Sequence, residues 1–244
     1  MDRFGSSRLR IVWTLVALLL AGILLGGLSR SADNAVTAFG TPIPLATEDL
    51  TAYTADNLAR VAHTMASAII LFAGFFPLSD WMAAGQAKDR YAGLFLGIAL
   101  AFLHGLFLSQ VALFPVWAAC AKLTGSPFQR SVLNGDLSGM VLGLQLLLWA
   151  ALLARVVASN RGVALMLAFL MQGLGELVAY VGQFAPMLGL SDRAGEILTY
   201  GSHFFPVQGL PADGPAWSAL PLALGGPAVL LAILLAFPGK GRKG

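Results

Sequence analysis

The chain has 244 residues, of which 57% are apolar and only 11% charged, and its mean hydropathy is +0.77. A soluble domain carries roughly 25% charged residues, so the composition excludes a soluble enzyme and describes an all-α, polytopic membrane helix bundle forming a single transmembrane domain over residues 1–244. The net charge is +3 with basic residues scattered at segment ends, so the pI of about 9.3 reflects membrane topology and excludes a nucleic-acid partner.

The predicted elements follow in chain order. Met1 to Arg10 is short and basic and leads into an uncharged apolar run, a first span near 11–28. A cleaved signal peptide is the alternative for this run, which is longer than the usual h-region. Ser29 to Asn57 turns polar and contains Thr41-Pro42-Ile43-Pro44, so it is expected to be an extramembrane loop, with Asp56 or Asn57 as N-cap of the next helix. The second span is expected near 59–81 and the third near 91–119, long enough to tilt or to break at Pro115. The turn between them carries Lys88 and Arg90.

Lys122 to Asp136 is rich in turn residues and reads as an exit loop, with Asp136 capping a fourth span near 137–157. The tight basic turn Arg155 to Arg161 leads to a fifth span near 163–186, then a second long loop from Met187 to Ala216, then a sixth span near 217–237. Six transmembrane helices with both termini cytoplasmic put Arg3, Arg8, Arg10, Lys88, Arg90, Arg155, Arg161, Lys240, Arg242 and Lys243 on the inner side, as the positive-inside rule requires. The expected location is therefore a bacterial-type inner membrane, multi-pass. The spacings Gly93-x-x-x-Gly97 and Gly139-x-x-x-Gly143 permit close helix approach. The single cysteine, Cys120, can form neither an internal disulfide nor a Cys-based metal site and reads as a small buried apolar residue.

Polar side chains within the spans are the candidate site residues. Counting at about 1.5 Å per residue places His63, His104, Gln145 and Glu176, from four different spans, in the same half of the bilayer. An intramembrane carboxylate such as Glu176 is a functional-site hypothesis by default. Each residue also has a structural reading: His63 near an interface, His104 in an interhelical hydrogen bond, Glu176 protonated and bonded to Gln145 or Gln172. His203 belongs to a loop and reads as interfacial. No Walker loop and no Gly-x-Ser-x-Gly elbow occurs. An imidazole facing a bundle interior can instead hold haem iron, His63 alone leaving an open sixth site, His63 with His104 giving a six-coordinate electron carrier.

Arg60-x-Ala62-His63 opening span two, the exit Phe76-Pro77-Leu78, the turn with Lys88 and Arg90, and Gly93 opening an aromatic-rich span three resemble the membrane-bound styrene oxide isomerase family. The likeness covers about Leu15 to Val157. It implies haem b held by His63, ferric iron serving as Lewis acid, and isomerisation of an epoxide to an aldehyde. The chain departs from that family at Ala99, Leu103 and Phe107, where substrate-binding polar residues are expected, at Ile69 in place of an asparagine, and in having spans five and six. On this reading His63 and His104 bind the cofactor, Gln145 and Glu176 are the catalytic candidates, and the partners are the lipid bilayer and a small lipophilic substrate. The rival reading, a permease subunit of an ABC-2 type exporter, is drawn from six spans, a long first loop and Asn160-Arg161-Gly162. A third is a structural or electron-transfer subunit of a membrane complex, or a homo-oligomer, packed through its Gly-rich faces.

Overall fold

The computed structural model describes residues 7–30, 36–43, 50–83, 92–126, 129–156, 160–202, 204–205 and 216–236. These form α1 (Ser7–Gly27), a β-meander of β1 (Leu28–Arg30), β2 (Val36–Ala38) and β3 (Thr41–Ile43), then α2 (Leu50–Ala83), α3 (Ala92–Thr124), α4 (Arg130–Val156), α5 (Arg161–Gln183), α6 (Asp192–Ser202) and α7 (Ala216–Ala236). Among the described residues the helices α2, α3, α4 and α5 are long and apolar enough to cross a membrane, from Ala55 in the case of α2. Shorter apolar stretches occupy Thr14–Gly27 in α1 and Leu224–Ala236 in α7.

α2 is the central element. It runs parallel to α4 and antiparallel to α3, and glycines set both contacts. A methyl group at Gly135 would lie 2.3 Å from the Ala59 carbonyl oxygen, one at Gly139 would lie 2.5 Å from that of His63, and one at Gly143 would lie 2.8 Å from the Ile70 Cβ. On the other side, a Cβ at Gly105 would meet the Ile70 backbone at 2.8 Å, and one at Gly74 would meet the Ala101 carbonyl at 3.0 Å. Lipid offers no hydrophobic drive for helix pairing, so close backbone approach and dispersion hold such seams together. α3 and α4 flank α2 and touch each other little. The Trp81 indole donates to the Gly93 carbonyl at 3.1 Å, pinning the end of α2 to the start of α3.

Two apolar clusters fill the bundle. One joins Ala62, Ala66, Leu113, Val116, Cys120 and Val132 near the start of α2. The larger one includes Leu71, Phe75, Leu94, Ala101, Leu142, Leu147, Ala164 and Leu230, and so ties α2, α3, α4, α5 and α7 together.

Four expectations are corrected. Nothing in Leu50–Asn57 breaks a helix, neither Gly nor Pro, and α2 begins at Leu50, so Asp56 and Asn57 lie inside it rather than capping it. The segment before it is partly ordered: Phe39 (φ 50°) and Gly40 (φ 79°) make a two-residue turn with left-handed backbone at both positions, which matches the twist of a tight hairpin. Phe39 donates its N–H to the Gly27 carbonyl at 2.6 Å, and its ring covers Gly27, where a Cβ would have to push the ring aside. α4 starts at Arg130, so Asp136 is not a cap but a helix-interior residue. The turn signal of Asn134-Gly135-Asp136 yields to the space that Gly135 gives α2. Lastly, the expected loop from Met187 to Ala216 contains a 3-10 turn, Pro186–Leu188, and the helix α6.

α6 folds back on α5, Gly195 and Thr199 packing at Gly182. The following Phe204 and Phe205 dock on Trp149 of α4, whose indole donates to the Phe204 carbonyl at 3.3 Å and stacks on Phe205 with centroids 5.9 Å apart. Pro115 does not interrupt α3, which continues to Thr124.

Candidate functional site

The polar residues within the bundle are placed by the glycine seams. His63 is half-buried on α2, and its ring is hydrogen-bonded to the backbone of Gly135, one residue from Asp136. Its Nε2 is buried with no hydrogen-bond partner among the described residues. An imidazole oriented through one nitrogen can present the lone pair of the other.

Asp136, on α4, is 2% exposed. The Gln110 side-chain amide of α3 donates to both carboxylate oxygens, at 3.1 Å and 3.2 Å. The bond therefore bridges α3 and α4 across the face of α2. Along α4 the carboxylate falls between Val132 of one apolar cluster and Leu142 of the other. Along α3 its partner falls between Ala101 and Leu113. Buried Asn134 and Ser138 flank it on its own helix. Helix α4 thus brings several oxygen-bearing side chains to the level at which α2 presents His63.

The sequence-derived set is not brought together at this level. His104 is half-buried beside Gly105, which packs on Ile70, seven residues from His63 and so about 10 Å along the α2 axis. Gln145 is 3% exposed but lies six residues past Gly139, the position at which α4 meets His63, or about 9 Å farther along. Glu176 is exposed on α5 and accepts from Gln172 one turn away at 3.2 Å. His203 lies outside the described residues. The sequence reading missed Gln110 and took Asp136 for a cap. The signal was available for Gln110, which lies within an apolar run, whereas Asp136 becomes an interior residue only once a helix runs through Gly135.

Several other polar groups have local roles. Cys120 Sγ donates to the Ser126 carbonyl at 3.3 Å and is buried among apolar neighbours. Asn160 caps α5, its side chain accepting from Gly162 N–H at 2.8 Å, which accounts for Asn160-Arg161-Gly162 as a helix start. Arg161 pairs with Asp80, joining the start of α5 to the end of α2. Among the described residues no three of His, Cys, Asp and Glu gather into a metal-binding group.

Comparison with family models, with curated proteins and with solved structures returned no match.

Proposed function

We propose that the protein is a multi-pass protein of a bacterial-type inner membrane, with six spans and both termini cytoplasmic, that holds haem b through His63 and acts on a small lipophilic molecule such as an epoxide. The observation that carries this reading is the state of the His63 ring. Haem iron needs one axial imidazole nitrogen, and proximal histidines are oriented by a backbone carbonyl or carboxylate on the other nitrogen. The contact with Gly135 and the unpartnered Nε2 supply both. Nε2 is enclosed by protein, so the macrocycle must displace neighbouring side chains to reach it.

Haem iron, when bound, supplies a Lewis acid. The chain's own contribution is to hold the ring, to exclude water through Ala62, Ala66, Leu113 and Val132, and to offer Gln110 and Asp136 as the polar groups nearest in level to His63. The test is an absorption spectrum of detergent-solubilised protein, before and after titration with hemin. A Soret band that His63→Ala abolishes is expected. Absence of the band in wild type, or its persistence in His63→Ala, overturns the reading.

The Gln110–Asp136 pair favours a second reading, transport, because ionisable groups inside membrane helices mark ion and substrate pathways. In that reading the chain is the permease subunit of an ABC-2 type exporter, and a separate ATPase co-purifies with it from native membranes.

A further inference from the structure

We infer that α6, with Phe204 and Phe205 after it, is a re-entrant segment that dips back into the bilayer beside α5, and that the exposed side of α6 takes the acyl chains of that leaflet as its partner. The inference rests on α4 and α5 spanning the membrane and is independent of haem binding.

The depth of the segment follows from its two anchors. At one end the turn out of α5 is tight, with Leu190 N–H donating to the Ala185 carbonyl at 2.9 Å. Gly195 then lies against Ala185 and Gly182, and Thr199, one turn on, against Gly182, so α6 runs back antiparallel along α5 instead of away from it. At the other end Phe204 and Phe205 meet Trp149, through the bond to the Phe204 carbonyl and the stack on Phe205. Trp149 is seven residues from Val156, hence about 10 Å from that end of α4 and about 28 Å from Arg130 at the other. Phe204 packs there against the larger apolar cluster, to which five helices contribute. With a hydrocarbon core of about 30 Å, a chain that leaves α5 at one face and reaches Trp149 has re-entered the membrane.

The chemistry of the segment is graded to match. Its charges, Asp192, Arg193 and Glu196, fall at the start of α6, level with the headgroups, and no Asp, Glu, Lys or Arg occurs from Ile197 to Phe205. Past Glu196 the side turned away from α5 presents Ile197, 64% exposed, and Tyr200, 63% exposed. The hydroxyl of Ser202 is instead turned inward and donates to the Thr199 carbonyl at 2.7 Å. Tyrosine suits the boundary, its ring among acyl chains and its hydroxyl reaching toward the headgroups. The backbone gives independent support. Irregular chain survives at membrane depth only where its polar groups are bonded within the protein. Phe204 N–H donates to the Gly201 carbonyl at 3.1 Å, Phe205 N–H to that of Ser202 at 2.9 Å, and the Phe204 carbonyl accepts from Trp149.

The test uses the full chain in phosphatidylcholine nanodiscs, where a membrane-impermeant maleimide reaches both faces, in a Cys120→Ser background that keeps a donor for the Ser126 carbonyl. Tyr200→Cys and Ile197→Cys replace exposed side chains of α6, Arg193→Cys is the headgroup-level reference, and Leu170→Cys, on an exposed position of α5, is the reference for a span. Tyr200→Cys is expected to react with the maleimide about tenfold more slowly than Arg193→Cys. Bimane attached to the Tyr200→Cys and Ile197→Cys variants is expected to lose fluorescence when brominated phosphatidylcholine replaces the ordinary lipid, as it does on Leu170→Cys. Reaction of Tyr200→Cys as fast as that of Arg193→Cys overturns the inference. Quenching on Leu170→Cys without quenching on the two α6 variants overturns it alone, whereas absence of quenching on all three overturns the spans with it. A disulfide between two copies of the Tyr200→Cys variant, without quenching, gives this side of α6 to a second chain and overturns the assignment to lipid. The Soret measurement and this one fail separately.

Discussion

Gln110 and Asp136 illustrate how a buried polar pair behaves when half of it is removed. A buried group stripped of its partner suffers the full desolvation penalty, whereas replacing both partners by apolar groups is close to neutral. Gln110→Leu is therefore expected to destabilise by about 2 kcal/mol, and the double variant Gln110→Leu/Asp136→Leu by less than Gln110→Leu alone. Unfolding in mixed micelles measures both, and a double variant worse than the sum of the two single changes would refute the account. Trp149→Phe keeps the aromatic packing on Phe205 but removes the indole donor to Phe204. The expected loss is about 1 kcal/mol, together with faster proteolysis between α6 and α7. Arg161→Ala, by contrast, breaks an exposed pair and is expected to cost under about 1 kcal/mol.

The elements divide by how much of each was legible in the sequence. Long uncharged runs located α2, α3, α4 and α5, since nothing but hydropathy is needed to find them. Gly139 and Gly143 were legible as sites of close approach, and each meets α2. What local pattern could not supply was the partner. Asn134-Gly135-Asp136 looks like a turn in isolation and becomes helix only because Ala59 occupies the space over Gly135. Depth counting likewise assumed that each span starts at its first apolar residue. The register between α2 and α4 sets Gly139 against His63, so His63 and Gln145, placed at one level by counting, are about 9 Å apart along the bundle axis. Glu176 was a reasonable candidate by chemistry, but its face of α5 is exposed. These contacts make a paired forecast. Gly139→Ala is expected to lower the unfolding midpoint by the equivalent of about 1–3 kcal/mol, because the Cβ meets unyielding backbone. Gly173→Ala, where nothing lies within 4 Å, is expected to leave it unchanged or raise it.

Across the molecule, the expected topology is open to a labelling experiment that the sequence makes convenient. Cys120 is fully buried, so the background of reaction with a membrane-impermeant maleimide is low in the folded protein. Phe39→Cys, on the exposed hairpin, is expected to react in intact cells, and Arg161→Cys, at the exposed start of α5, only after permeabilisation. Labelling of both from the same side would refute the six-span arrangement with both termini cytoplasmic.

The glycine seams also bear on timing. Both α3 and α4 are locked to α2 by backbone contact, so neither can slide without prising two main chains apart, a collective motion of microseconds to milliseconds. Between α3 and α4 the contact is sparse, and the Gln110–Asp136 bond closes the gap like a latch. Turning one glutamine side chain releases that latch while every helix stays where it is. The bond between α3 and α4 therefore opens and closes at the pace of rotamer flips rather than of helix rearrangement.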